Sequence, residues 1–157
     1  MLYAGQSFTK PNEEILVIPR SDRDIILRAK AILNYDEHDK LNPRPEPPSI
    51  TMKGGKQVSD ITDKKYQDAL DLWARRRTAW MIIKSLEATT ELLWETVQFN
   101  DASTWENYLS ELEKAFFNPQ EIARIIDLCS QVNSLNQKRI DEATELFLAG
   151  QKPLNSA

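Results

Sequence analysis

Residues 73–80 read WARRRTAW, three consecutive arginines between two tryptophans. A helix advances about 100° per residue, so positions seven apart nearly coincide: Trp73 and Trp80 share one face and Arg75 sits roughly opposite. Arg76 falls at the side. Arg77 lies between the two indoles, where its guanidinium can stack on a ring or meet an acid from a neighbouring element. The stretch therefore reads as an apolar stripe flanked by charge, not as a basic and aromatic grip on nucleic acid.

The same period extends outward. Tyr66, Leu70, Trp73, Trp80 and Ile83 recur at helical spacing and predict one helix from Asp63 to Ala88. Three further helices follow with explicit start signals. Ser103-Thr-Trp-Glu106 and Ser134-Leu-Asn-Gln137 are capping-box patterns, and Asn118-Pro-Gln-Glu121 combines an N-cap, a proline and an acid. Behind these starts run the stripes Trp105, Tyr108, Leu109, Leu112 and Phe116; Ile122, Ile125, Ile126, Cys129 and Val132; and Ile140, Ala143, Leu146 and Phe147. Gly150 is expected to end the last helix. Between helices, residues 90–101 lack a strong period and are expected to tuck Leu93, Trp94 and Val97 against the helices.

Upstream the pattern changes. Six of the eight prolines and three of the four glycines fall in the first 60 residues. EEILVIPR (13–20) and DIILRAKAIL (24–33) predict a hairpin with one buried face, Ile25, Leu27, Ala29, Ala31 and Leu33 pointing one way. YDEHDKL (35–41) fits one short helical turn, PRPEPP (43–48) an extended connector, and ITMKGGKQV (50–58) a second, exposed hairpin around Gly54-Gly55. The expected architecture is α+β and mainly α: N-terminal antiparallel hairpins (13–60), then a bundle of about four helices (61–150) and a flexible tail (151–157), all in one domain.

Composition bounds the function. The 157 residues are 41% hydrophobic and 28% charged, enough for one core. Net charge is -4, which gives no global attraction to nucleic acid or an anionic membrane. Asp63–Lys84 holds six Lys or Arg against three Asp, whereas Glu87–Glu121 holds eight acids against Lys114 alone. Facing segments of opposite charge fit this better than a phosphate track. The start MLYAGQSFTK lacks a secretory pattern, and no run of about 18 apolar residues predicts a membrane span.

Reactive constellations are missing from the pattern. Cys129 lies inside an apolar stripe, far in sequence from His38, the single histidine, so no nucleophile has an expected base. Asp36, Glu37, His38 and Asp39 carry metal-ligand atoms, but adjacent residues on a turn diverge, and a solvated turn is expected. Glu111 and Glu113, like Asp141 and Glu142, are read as solvated surface. Gly54-Gly55 lacks the Lys-Ser/Thr and helix start of a phosphate loop. No catalytic, cofactor-binding or metal residues are predicted. Trp73, Trp80, Trp94 and Trp105 are the candidate residues, as core fillers or as anchors for a partner or a second copy.

The strings RTAWMIIKSLEAT (77–89), LWETV (93–97), TWENYLSEL (104–112) and EIARIIDLC with VNSLNQKRIDEATELFLAG (121–150) resemble the tail assembly chaperones of tailed bacteriophages. The resemblance implies a non-enzymatic protein of the host cytoplasm, absent from the finished virion. Such a protein binds the long helical tape measure protein and helps recruit major tail subunits around it. Homo-oligomers and a longer frameshifted form are also implied. A permanent tail or connector component is the alternative, followed by a nucleic-acid-binding regulator using Arg75, Arg76 and Arg77.

Overall fold

The computed structural model describes residues 1–151. The chain is α+β and mainly α. Three two-stranded antiparallel hairpins are formed by β1 (Leu2–Tyr3) with β2 (Gln6–Ser7), β3 (Glu13–Ile18) with β4 (Ile25–Lys30), and β5 (Ser49–Thr51) with β6 (Gln57–Ser59). The helices are α1 (Asp36–Leu41), α2 (Lys64–Leu86), α3 (Asn107–Lys114), α4 (Pro119–Val132) and α5 (Gln137–Gln151), with a 3-10 turn at Ala102–Thr104.

The β3–β4 hairpin is the sheet that meets the core. Its register pairs Glu13 with Lys30, Ile15 with Arg28 and Val17 with Ile26. Alternation sends Leu16, Ile18, Ile25, Leu27 and Ala29 inward, where they pack on α2 and α4. Leu33, expected on that face, is 80% exposed because the strand ends at Lys30. Pairing parity follows from the hydrogen bonds. Ala31 N–H donates to Asn12 O at 2.8 Å, so even-numbered residues of β3 face β4. Arg28 and Ile32 therefore present their main-chain groups on the opposite edge of β4.

Two side chains bond that edge, at Arg28 and at Ile32 just past the strand end. The Thr89 hydroxyl accepts from Arg28 N–H at 2.7 Å and donates to Arg28 O at 2.9 Å, standing in for a neighbouring strand. Asn133 Oδ1 accepts from Ile32 N–H at 2.7 Å, while its Nδ2 donates to Ser85 Oγ and Cys129 O, both at 2.7 Å. At the far end Arg20 lies over the Phe117 ring and donates to Glu121 at 3.0 Å.

Side-chain caps fix the starts of α2 and α4. Asn118 and Glu121 form the full capping box, with Pro119 in the first turn. Asp63 caps α2 by accepting from Tyr66 N–H. The Ser103 pattern fails because Asp101, two residues earlier, takes the Ser103 N–H and hydroxyl for its own turn, so α3 starts at Asn107 without a side-chain cap. At the last helix Asn136, not Ser134, accepts from Lys138 and Arg139 N–H. The helix also passes Gly150 to Gln151, and the rest of the expected tail lies outside the described residues.

Trp80, Ile82, Ile83 and Leu86 of α2, Tyr108 and Leu112 of α3, and Ile122, Ile125, Cys129 and Val132 of α4 share one core with the hairpin. Leu109 and Phe116 of the expected α3 stripe are exposed instead. So is the α5 stripe, with Ile140, Leu146 and Phe147 all on the surface. The expected bundle of about four helices thus reduces to α2, α3 and α4 around the hairpin, and α5 stands outside that core.

Replacing Asn133 with Ala removes the partner of Ile32 N–H and two donors at once. Urea unfolding is expected to show a loss of about 2–3 kcal/mol. A change below about 0.5 kcal/mol would show that the edge of β4 does not depend on this residue.

Candidate partner-binding surfaces

The four tryptophans divide. Trp80 and Trp105 are buried, their ring centroids 6.4 Å apart. Between them sits His38, 0% exposed, at 5.4 Å from Trp80, 5.8 Å from Trp105 and 6.2 Å from Trp73. The turn that was expected to be solvated therefore contributes the polar centre of an aromatic cluster. A short helix with one side chain directed at α2 leaves Asp36, Glu37 and Asp39 on the surface while its histidine is enclosed.

The hydrogen bonds fix the state of that ring. Asn42 Nδ2 lies 3.1 Å from His38 Nε2 and 3.2 Å from Trp73 O. A carbonyl only accepts, so the atom between them is the amide nitrogen and His38 Nε2 is an acceptor. The proton then sits on Nδ1 and is donated to Asp39 Oδ1 at 2.8 Å. Trp73 Nε1 donates back to Asn42 O at 3.0 Å, locking α1 to α2.

Trp73 itself is half-buried. Arg44 lies over it at 5.2 Å and Arg77 at 5.5 Å, while Arg77 also covers Tyr35 at 4.2 Å and meets Asp39 at 3.6 Å. Arg77 thus makes both of the contacts that its place between the indoles allowed. Arg75 points away and pairs with Glu106 at 3.3 Å. Trp94 is half-buried against the core edge, apart from the cluster, with Val97 buried and Leu93 exposed.

Glu111 is another departure from the sequence reading. Its carboxylate accepts from the N–H groups of Glu95, Thr96 and Val97 and from the Thr96 hydroxyl, pinning the irregular segment 90–101 to α3. No periodicity announces such a contact. Cys129 is enclosed at the α2–α4 contact, and burial pushes its thiol up to about 12, so it stays a thiol near neutral pH. Among the described residues no three His, Cys, Asp or Glu side chains converge as a metal site, and no helix is long and apolar enough to cross a membrane.

Apolar surface lies elsewhere. On α5, Ile140, Ala143 and Phe147 share a face flanked by Leu146 and Leu148, and Leu146 and Phe147 are 76% and 63% exposed. On the outer face of the β3–β4 hairpin, Ile15, Val17 and Ile26 are each more than half exposed. Phe116, 87% exposed, occupies a left-handed conformation at φ 65°. Its N–H bonds to Glu113 O and that of Phe117 to Leu112 O, the pattern that closes a helix and usually places glycine at this position.

No family model matches the chain, and no curated protein or solved structure matches it.

Two measurements follow from this geometry. Nitrogen-15 NMR of the neutral His38 ring is expected to show the Nδ1–H tautomer; an Nε2–H signal would contradict the assigned network. Phe116→Gly relieves the left-handed strain and is expected to raise stability by about 1 kcal/mol in urea unfolding. A loss of stability would show that the exposed ring contributes contacts within the fold.

Proposed function

We infer that this chain is a non-catalytic phage tail assembly chaperone that binds a tape measure protein and assists assembly of the tail tube around it. The observation that carries the reading is α5: a helix of 15 residues whose apolar arc lies outside the core and is largely exposed among the described residues. A helix of this length is marginal alone in water, and most helical stability in proteins comes from packing of an amphipathic face. A long helical client offers the complementary surface, packed helix against helix along Ile140, Ala143 and Phe147. The strings that resemble the chaperone family end in this helix, which supports the same reading. The protein acts in the host cytoplasm and leaves before the virion is complete.

The same face would serve a permanent tail component. Mass spectrometry of purified virions separates the two readings, since a chaperone is missing from them.

Co-expression with the tape measure protein encoded beside it, followed by pull-down, is the direct test. The wild-type chain is expected to hold the client in solution, and Leu146→Asp with Phe147→Asp to lose it while melting unchanged, because neither side chain supports the core. A client equally soluble and unbound beside the wild type would contradict the proposal.

A further inference from the structure

The outer edge of β4 is bonded at Arg28 by the Thr89 hydroxyl and at Ile32 by the Asn133 amide oxygen. Lys30 lies between them. It stands opposite Glu13, and the parity fixed by Ala31 and Asn12 makes this a pair without hydrogen bonds, so the N–H and C=O of Lys30 face away from β3. Among the described residues no hydrogen bond reaches either group. Beside them opens a cleft of about 390 Å³, walled by residues 30–34 on one side and by Trp80, Lys84 and Ala88 on the other. Trp80, 1% exposed, also keeps its indole N–H without an acceptor among the described residues.

We propose that this cleft binds a carboxamide, the neutral group of an asparagine or glutamine side chain or of a small free amide. Its oxygen accepts from Lys30 N–H and its nitrogen donates to Lys30 O. The open edge is one residue long. Thr89 and Asn133 hold the positions on either side, so an added strand has nowhere to run, whereas one planar group with an acceptor beside a donor matches one N–H beside one C=O. The neighbouring positions are satisfied in the same manner, Arg28 by a hydroxyl that both accepts and donates and Ile32 by an amide.

Charge selects against the ionic alternatives. Lys30 and Lys84 balance Glu37 and Glu87 around the cleft, and Lys84 is already bonded to both glutamates, at 3.2 and 3.4 Å. An added anion or cation competes with these pairs, and a neutral amide does not. The volume lies at the low end of the range for small-ligand clefts and leaves space for a short apolar stem beside Ala31 and Ala88. The site uses no residue of α5 and stands apart from the chaperone reading.

Proton–nitrogen NMR of the full chain titrated with propionamide, propionate and propylammonium separates the chemistries, because the three probes are close in size and differ in charge. Propionamide is expected to move the Lys30 amide and Trp80 indole signals saturably, with a Kd of about 1–10 mM for so small a ligand, and the two ions to bind at least about tenfold more weakly. Lys30→Pro deletes the donor in the cleft without touching the β3–β4 ladder. Read at the Trp80 indole, it is expected to weaken binding at least about tenfold, while Lys30→Ala, which keeps the main chain, binds as the wild type does. Ala88→Leu fills the cleft from the far wall and is expected to give the same loss, which keeps the test independent of any effect of proline on the strand. A pentaalanine peptide with glutamine at its centre assigns the amide to a protein side chain where it binds tighter than propionamide and than pentaalanine itself; otherwise the site takes a free amide. Equal shifts from all three probes, no saturable shift at Lys30 up to about 100 mM propionamide, or binding unchanged in both Lys30→Pro and Ala88→Leu, would overturn the proposal.

Discussion

Two side chains that bond the main chain of β4 and of the residues just after it orient much of this fold. Thr89 lies just beyond α2 and bonds both main-chain groups of Arg28 in β4, and Asn133 lies just beyond α4 and accepts from Ile32 N–H past the strand end. Buried main-chain groups left without partners cost about 1–3 kcal/mol each, so the hairpin has a preferred way to lie on the two helices. That choice turns Leu27 and Ala29 into the core and the main-chain groups of Glu13, Ile15 and Val17 outward. The unbonded edge of β3 thus follows from how Arg28 and Ile32 are satisfied.

The second organising contact is the enclosed His38. Three indoles and Tyr35 surround it, while Asn42 and Asp39 complete its hydrogen bonds, so a polar side chain is held in an apolar setting without an unmet donor. It joins α1, α2 and the segment before α3. The cluster that the tryptophan count drew attention to is therefore mostly interior. Surface available to partners lies on α5 and on the outer hairpin face, neither of which carries tryptophan.

Much of the local structure was legible from residue order. The seven-residue spacing of Trp73 and Trp80 placed Arg75 and Arg77 correctly, and Asn118-Pro-Gln-Glu121 gave the start of α4 because one strong cap had no competitor. Ser103 and Ser134 misled because Asp101 and Asn136 lie within two residues and accept the same kind of bond. Contacts between distant positions were not legible: Thr89 with Arg28, Asn133 with Ile32 and Glu111 with Val97 depend on the chain already being folded. Periodicity marked α5 as amphipathic, but it reports only that a face is apolar, not whether the chain itself covers it. The run Ile15-Leu16-Val17-Ile18 carried a further signal, apolar on both faces of a strand that was expected to bury one.

Amide hydrogen exchange on the dilute protein tests the asymmetry of the hairpin most directly. The account predicts slow exchange at Arg28 and Ile32, whose N–H groups are held by Thr89 and Asn133, and fast exchange at Glu13, Ile15 and Val17 on the open edge. Comparable protection on both edges in the monomer, or rapid exchange at Arg28 and Ile32, would contradict it.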